Sequence, residues 1–325
     1  MKKFDFSIVK NPELFEQNSL PPHSDHEYYS CEEIAERGFS DYKLLLNGQW
    51  KFSYAVNPAS ASKDFYKEEV DCRDWDDIKV PAHIQMEGYD VPQYSNVEYP
   101  WDGRENMEPG MVPTHFNPTA SYVKYFSVPD SFKGRKIFVS FQGVESAMAL
   151  WLNGEYVGYR EDSFTPSEFD LTPFIKEGEN KLAVRVFKWC AGSWCEDQDF
   201  FRFSGIFRDV YLYTIPDVHL YDLRIRTILK DNYTNADLNI GMKLTGKGSY
   251  TIRLIDMEGE EGITGEGSFD KKLDISIPVM QPELWSAEKP NLYILKITIF
   301  DESGALQEVI EEEVGFRSFE MIDNI

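Results

Sequence analysis

Helical periodicity, cysteine and positive charge are all scarce in this chain of 325 residues. Four cysteines are too few for a disulfide framework at this length, so we expect them to be reduced and structural. Lys and Arg number 33 against 56 Asp and Glu, which gives a formal net charge of -23. A chain this acidic repels phosphate backbones and anionic headgroups, so nucleic acids and membrane surfaces are predicted to be poor partners.

Long apolar runs and metal-binding spacings are also missing. No segment approaches the ~18 apolar residues of a membrane span, and the amino terminus has no apolar core of signal-peptide length. The spacing of Cys190 and Cys195 fits neither a CxxC redox motif nor a zinc knuckle. The histidines show no HxxxH or HExxH pattern. These absences predict a cytoplasmic protein without a zinc site.

Strand-forming sequence fills most of the chain from about residue 45 onward. Segments such as "RKIFVSFQGV", "NKLAVRVFKW" and "LYILKITIFD" combine β-branched and aromatic residues between turn signals. Asn153-Gly154, between "MALWL" and "EYVGY", is a strong hairpin signal because both residues tolerate positive φ. One short helix is predicted over "CEEIAERG", with Ser30 as its N-cap. The fold class is therefore all-β, as two antiparallel sandwiches.

Composition divides the chain near Pro216. Residues 1–40 are polar and irregular and are predicted to form an extended amino-terminal segment. Residues 41–216 carry the first set of strands. Residues 217–317 contain shorter strands with regular turn spacing, typical of an immunoglobulin-like sandwich of about 100 residues.

The stretch "WCEDQDFFRFSGIFRD" places Asp197 and Asp199 directly before a run of phenylalanines. Neighbouring carboxylates can act as acid and base, ligate a metal or accept hydrogen bonds from hydroxyls. The plain alternative is a solvated loop with capping acids, but "DFFRF" is unusually apolar for such a loop. A second stretch, "GYDVPQYSNVEYPWDG", holds three tyrosines, a Trp and Asn96 in a proline-punctuated loop. Its rings suit stacking against sugars, although any single ring could simply fill the loop.

These stretches, with "VPTHFNPTASY", "LWLNGEYVGYREDSFTPSEFDLTPF" and "LWSAEKPNLY", resemble the glycoside hydrolase family 2 β-galactosidases. The matching segments follow the family order from about residue 40. The resemblance implies a jelly-roll sugar-binding domain over 41–216, an immunoglobulin-like domain over 217–317, and the start of a (β/α)8 barrel at 318–325. It implies that both catalytic glutamates belong to that barrel, which needs roughly 250 residues. We therefore expect this chain to be inactive by itself.

Two site residues follow from the resemblance. Asn96 in "SNVEYP" is implied to reach the galactose pocket, and Asp199 in "EDQD" to contact the sugar and ligate sodium. Asp197 is expected to be structural. Some family members also bind magnesium through an Asp-Gly turn, but the turn "KWCAGS" has Ala191 at that position, which weakens the expectation of this additional site. Sodium and magnesium are implied for a complete enzyme, and neither is expected to bind this chain tightly.

The implied partners are a β-galactoside such as lactose and the enzyme's own catalytic barrel, in a parent protein that is a homo-oligomer. Two other functions remain open from the residues: a free-standing carbohydrate-binding module and an assembly domain without sugar contact. The front end of a β-glucuronidase or a β-mannosidase also remains open, because these enzymes share the same domain order.

Overall fold

The structure, a computed structural model, describes residues 3–102, 105–108, 110–196 and 199–321. The two α-helices of this described part are α1 (Glu32–Arg37) and α2 (Ser193–Glu196), and single 3-10 turns cover Ile8–Lys10, Ile84–Met86 and Asp130–Phe132. No helix within these ranges is long and apolar enough to cross a membrane.

Strands account for the rest of the regular structure, which confirms the predicted all-β class. In chain order they are β1 (Glu16–Gln17), β2 (Tyr28–Tyr29), β3 (Lys43–Leu45), β4 (Gly48–Ala55), β5 (Asp76–Val80), β6 (Gln93–Ser95), β7 (Thr119–Ser127), β8 (Ile137–Phe141), β9 (Val144–Glu145), β10 (Ala147–Leu152), β11 (Glu155–Glu161), β12 (Ser167–Asp170), β13 (Glu179–Phe187), β14 (Phe200–Arg202), β15 (Gly205–Ile206), β16 (Val210–Thr214), β17 (Leu220–Lys230), β18 (Asn235–Ile255), β19 (Glu261–Met280), β20 (Tyr293–Asp301) and β21 (Leu306–Val314).

The chain forms two compact units. Among the described residues, unit 1 comprises 3–21 and 43–214, and unit 2 comprises 22–42 and 215–321. The extended amino-terminal segment predicted for residues 1–40 is therefore divided between them, and it supplies core residues to both. Its apolar residues are few and irregularly spaced, so their burial produces no periodic signal in the sequence.

Unit 1 is a sandwich of a large and a small antiparallel sheet. The large sheet has the strand order β1-β11-β10-β13-β7-β4-β5, and the small sheet has the order β12-β8-β16-β3. Trp50 and Leu150 from the large sheet share one buried core with Val139 and Leu212 from the small sheet. The apolar contact between the facing sheets is the main source of stability for this architecture.

The large sheet is buried on both faces, as β10 shows. Because side chains alternate along a strand, Met148, Leu150 and Leu152 enter the sandwich core. Ala147, Ala149 and Trp151 enter a second cluster on the outer face. The amino-terminal segment covers that outer face, where the ring of Phe4 lies 5.5 Å from Trp151 and 5.9 Å from Phe187. Double burial explains why "AMALWL" is continuously apolar rather than alternating.

The predicted hairpin is confirmed. Asn153 (φ 51°) and Gly154 (φ 85°) form the two-residue turn between β10 and β11, and Leu152 pairs with Glu155 across it. The predicted helix is also present, but its N-cap prediction is wrong. Helix α1 starts after Cys31, with no side-chain cap. Ser30 is one residue too early to cap α1, because Cys31 occupies the N-cap position, and the Ser30 hydroxyl donates to Oδ2 of Asp41 at 2.5 Å.

Unit 2 is organised around the long strand β18. Its first part pairs with β17, its second part pairs with β20, and β19 follows both parts. The ladder with β19 is interrupted between Lys243 and Lys247. Leu238 and Ile252, from the two parts of β18, share one buried core with Ile297 and Ile310.

Residues 22–42 complete this sandwich. Strand β2 pairs with β21, with Tyr28 opposite Ile310. Tyr28 and Tyr42 are buried in the unit 2 core. The hydroxyl of Tyr42 donates to the carbonyl of Gln307 at 2.8 Å. Removing residues 22–42 would therefore expose core surface and leave β21 with an unpaired edge.

This organisation predicts that residues 22–42 raise the stability of unit 2. Residue 43 is the cross-strand partner of Tyr213, and directly opposed antiparallel residues lie about 5 Å apart at their Cα atoms. A short Gly/Ser linker of roughly four residues can therefore replace 43–214. The resulting protein, 22–42 joined to 215–321, should unfold in one cooperative transition at a higher Tm than 215–321 alone. Equal melting temperatures, measured by circular dichroism, would contradict the packing described above.

Candidate functional site

A short two-stranded ribbon brings together the two stretches singled out in the sequence. Strand β6 pairs antiparallel with β14, with Phe200 opposite Ser95 and Arg202 opposite Gln93. Asn96 follows the last residue of β6, and Asp199 precedes the first residue of β14. The two predicted site residues therefore lie at the same end of one ribbon, although about a hundred positions separate them in sequence.

Strand β14 runs from the surface into the interior. The rings of Phe200 and Phe201 are exposed, whereas Arg202 is buried and its guanidinium donates to the carbonyl of Phe200. The ring of Phe201 lies 5.0 Å from Tyr94 of β6, which is the residue opposite it in the ladder. Such cross-strand aromatic pairs stabilise short ladders.

Asp199 is oriented by a tyrosine across the ribbon. Its backbone is in the left-handed region (φ 52°), and its Oδ1 accepts a hydrogen bond from the Tyr94 hydroxyl at 2.8 Å. The hydrogen bond to this carboxylate raises the pKa of Tyr94. Both Asp199 and Asn96 are exposed, so their polar atoms can reach a ligand. Asp197, predicted to be structural, lies outside the described residues.

A cluster of aromatic side chains connects the same two stretches a second time. The hydroxyl of Tyr99 donates to the carbonyl of Trp194 at 2.9 Å, and the Trp194 indole donates to the carbonyl of Met111 at 2.7 Å. Trp101 is buried, with its ring 5.0 Å from both Tyr99 and Trp194. Trp101 therefore fills the loop, as the plain alternative held. The contact of Trp194 with the other loop was not predicted, because no sequence motif indicates it.

The carboxylate of Glu105 shapes the loop that follows. Its two oxygens accept hydrogen bonds from the backbone N–H groups of Thr114, His115 and Phe116 at 2.8–3.1 Å. Burial raises the pKa of Glu105, but these three bonds outweigh it, so the net pKa lies below the ordinary value. A carboxylate that closes a loop in this way holds the backbone in one conformation.

Aromatic rings continue from the ribbon across the surface of unit 1. Phe203 lies 6.2 Å from Phe201 and 4.7 Å from His83, and His83 stacks on Phe207 at 4.9 Å. Phe164 follows at 5.7 Å from Phe207. Apart from the phenylalanines of "DFFRF", sequence reasoning missed this row, because its members come from three separate segments.

Among the described residues at this end of the ribbon, Asp199 offers an anionic ligand for a cation. Asp199 supplies a carboxylate, an appropriate hard oxygen donor for sodium or magnesium. Among the described residues, no three His, Cys, Asp or Glu side chains come close enough to hold a metal ion together. At the additional magnesium position, Ala191 offers a buried methyl group, and its backbone N–H donates to the carbonyl of Val9 at 2.9 Å.

Exposed amide and carboxylate groups beside flat rings can bind a polyol. Asp199 accepts hydrogen bonds from hydroxyls, and Asn96 can both donate and accept. Tyr94 and Phe201 present rigid apolar area that suits the C–H face of a sugar ring. These groups lie together on an exposed surface of unit 1.

Comparison with known proteins decides the family. Residues 44–216 match the family described as "Glycosyl hydrolases family 2, sugar binding domain", and residues 218–317 match "Glycosyl hydrolases family 2". The chain belongs to glycosyl hydrolase family 2. The two matches divide the chain at residue 217, and the first contains the whole β6–β14 ribbon.

Several curated relatives of this family 2 chain are β-galactosidases. It is 48% identical over 325 residues to a β-galactosidase of Halalkalibacterium halodurans, covering 98% of this chain and 32% of that protein. It is 47% identical over 321 residues to one of Clostridium acetobutylicum, covering 98% and 36%. A β-galactosidase large subunit of Leuconostoc lactis is 42% identical over 335 residues, covering 97% and 53%. The chain thus spans about a third of the length of the first two relatives.

Solved structures share the fold at lower identity. A Bifidobacterium dentium β-glucuronidase complexed with coumarin-3-O-glucuronide superposes with a TM-score of 0.70 at 21% identity, covering 87% of this chain and 50% of that chain. A Bacteroides uniformis β-glucuronidase gives a TM-score of 0.68 at 22% identity, covering 86% and 33%. At this identity the similarity establishes the fold alone.

A buried carboxylate anchors the turn that leads into α2. Oε1 of Glu161 accepts from the Tyr159 hydroxyl at 2.7 Å, and Oε2 accepts from the backbone N–H of Gly192 at 3.0 Å. Burial raises the pKa of Glu161 above its ordinary value, although the hydrogen bonds partly oppose this. Between the ordinary Glu pKa and the raised one, Glu161 therefore keeps its proton in the folded state and has lost it in the unfolded state.

Stability should consequently fall as the pH rises from the ordinary Glu pKa through the raised one. Glu161→Gln keeps an acceptor for Gly192 and offers an N–H to Tyr159, but cannot be charged. We expect the urea midpoint of the variant, relative to the unsubstituted chain, to be higher at pH 8 than at pH 4.5. Glu155→Gln, an exposed change on the same strand, is the control. A midpoint difference for Glu161→Gln that is the same at both pH values would contradict the assigned cause.

Proposed function

We propose that this chain is the sugar-binding and immunoglobulin-like part of a β-galactosidase that hydrolyses terminal β-galactosides such as lactose. The supporting observation is the β6–β14 ribbon, which places Asn96 and Asp199 at one exposed end beside the paired rings of Tyr94 and Phe201. The proposal assigns hydrolysis to two carboxylates supplied by a catalytic barrel, because glycosidases need one such pair around the scissile bond. This chain then positions the substrate and does not cleave it.

Each site residue has a distinct role in this proposal. Asp199 accepts a hydrogen bond from a sugar hydroxyl and would supply one carboxylate oxygen to a sodium ion in the complete enzyme. Tyr94 holds the Asp199 carboxylate in place through the 2.8 Å hydrogen bond. Asn96 bonds a second hydroxyl.

The activity can be tested with a fusion protein in which this chain replaces the matching part of the Halalkalibacterium halodurans β-galactosidase. We expect the fusion to hydrolyse nitrophenyl β-galactoside and the 325-residue chain alone to show no turnover. Nitrophenyl β-glucuronide and β-mannoside test the other family 2 substrates. Turnover by the chain alone would contradict the division of labour, and a folded but inactive fusion would contradict the substrate assignment.

The role of Asp199 can be tested in the same fusion. Asp199→Asn keeps the size but removes the charge, and losing a charged partner in a partly desolvated site costs on the order of 2–4 kcal/mol, about 30- to 1000-fold in kcat/KM. Tyr94→Phe should cost less, because the carboxylate remains but is less well oriented. Asp74→Asn, an exposed change in unit 1, is the control.

The dependence of KM on sodium distinguishes the charge of Asp199 from its hydrogen bond with Tyr94. Asp199→Asn should lose the response of KM to sodium, whereas Tyr94→Phe should retain it. We also expect Asp197→Asn to cost much less activity than Asp199→Asn. The reverse order would mean that Asp199 is not the sugar-binding aspartate of this loop.

A free-standing carbohydrate-binding module is the second candidate, favoured by the exposed rings of Tyr94 and Phe201. Titration of the chain with galactose or lactose distinguishes the two functions. We expect binding weaker than about 1 mM, because an open surface buries little of a small sugar. Micromolar binding, followed by calorimetry or NMR, would favour the module instead.

A further inference from the structure

A buried polar cluster lies at the base of the ribbon, away from the end where the sugar is proposed to bind. The side chains of Lys188 and Asp90 are 0% and 2% exposed, and Nζ lies 2.5 Å from Oδ2. Gln85 and Ser204 complete what we call the Asp90–Lys188 cluster. Burying an ion pair this completely is costly, since both ions lose their hydration.

Gln85 connects the ion pair to the chain after β14. Its Nε2 donates to Oδ2 of Asp90 at 2.9 Å and to the hydroxyl of Ser204 at 3.0 Å. Its Oε1 accepts the backbone N–H of Ser204 at 3.0 Å. All polar atoms of this amide are thereby used, so the amide orientation is fixed by its partners.

The positions of the cluster members in the fold are informative. Asp90 lies three residues before β6, and Ser204 lies two residues after β14. Both are at the base of the ribbon, where Gln93 pairs with Arg202. Asn96 and Asp199 lie at the opposite end, about three residue lengths away along the ribbon.

Lys188 connects this base to the large sheet. It directly follows β13, and its backbone N–H donates to the carbonyl of Pro118, next to the start of β7. Its backbone carbonyl accepts from the hydroxyl of Ser146 at 2.8 Å. The cluster therefore fixes both strands of the ribbon to one rigid element of unit 1.

Stability alone is a poor reason for this cluster. Apolar residues of similar size often replace buried ion pairs with no loss of stability, whereas removing one partner is strongly destabilising. The fully used amide of Gln85 and the ion pair instead impose directional constraints, which apolar packing does not supply. A three-residue ladder is also too short to hold its own orientation.

We propose that Asp90, Lys188, Gln85 and Ser204 act as positioning residues that set the orientation of the ribbon, and thereby of Asn96 and Asp199. This inference rests on the proposed function for its consequence in catalysis. Its structural part, the orientation of the ribbon, can be tested without any substrate.

The test compares three variants of the 325-residue chain. Lys188→Met leaves the Asp90 carboxylate buried without its cation, and should lower the Tm by on the order of 10 °C. The double variant Asp90→Asn with Lys188→Met removes both charges, and Asn tolerates the left-handed backbone at this position (φ 57°). Its Tm should return to within about 3 °C of the unsubstituted chain. Ser204→Ala is a milder third variant that removes one hydroxyl.

Amide hydrogen exchange of the β6–β14 ladder is the decisive measurement, with the β10–β13 ladder as internal reference. In the double variant and in Ser204→Ala, the ribbon amides should exchange at least about 10-fold faster while the reference is unchanged. Unchanged ribbon exchange in both variants, with the Tm recovered, would overturn the proposal. A purely stabilising cluster would give that result.

Kinetics of the same variants in the fusion protein test the consequence for catalysis. We expect kcat/KM for a β-galactoside to fall about 10-fold in the double variant. When Asp199→Asn is also present, the combined loss should be smaller than the product of the separate losses, because the cluster acts through the position of Asp199. Faster ribbon exchange without any loss of activity would support the orientation of the ribbon and contradict the substrate role of Asp199. Hydrogen exchange therefore tests the orientation of the ribbon, and kinetics separately tests the substrate role of Asp199.

Discussion

The pairing of β6 with β14 is the contact on which the whole candidate site depends. Without it, Asn96 and Asp199 belong to two loops about a hundred residues apart. With it, they occupy one end of a ribbon, and their relative position follows from the register of Phe200 with Ser95. Three ladder pairs cannot maintain such a position alone, so the ribbon needs support from a larger element.

That support comes from a sheet that is buried on both faces. Strand β13 contributes Leu182, Val184 and Val186 to the sandwich core and Phe187 to the outer cluster. Side chains packed on both sides fix such a strand more firmly than one-sided packing does. Lys188 is the next residue after this strand, so its backbone is held in place. Its ion pair with Asp90 then fixes the base of the ribbon to the sheet.

The all-β class and the Asn153-Gly154 hairpin could be predicted from the sequence, because each has a local signal. The two loop stretches could be selected as site candidates, but their pairing could not be predicted, because the ladder joins residues about a hundred positions apart. The burial of Ile8, Val9 and Tyr28 in the two cores was not predicted, because the apolar residues of the amino-terminal segment show no periodicity. The Ser30 cap was wrong because α1 begins at Glu32, which places Cys31 at the N-cap position. The Asp90–Lys188 cluster could not be predicted, because nothing local indicates that charges 98 positions apart meet in the interior.

An open site on a rigid base suits a chain that supplies part of a binding pocket. Rings and hydrogen-bonding groups at an exposed edge make few demands on the ligand, so affinity is low until further surface encloses it. Fixed orientation matters more under these conditions, because a partner surface can use only groups that are already in place. In this proposal the two parts of the ribbon have complementary roles. The buried Asp90–Lys188 cluster fixes the orientation of the ribbon at its base, and the exposed Asn96 and Asp199 at the other end remain accessible to the sugar.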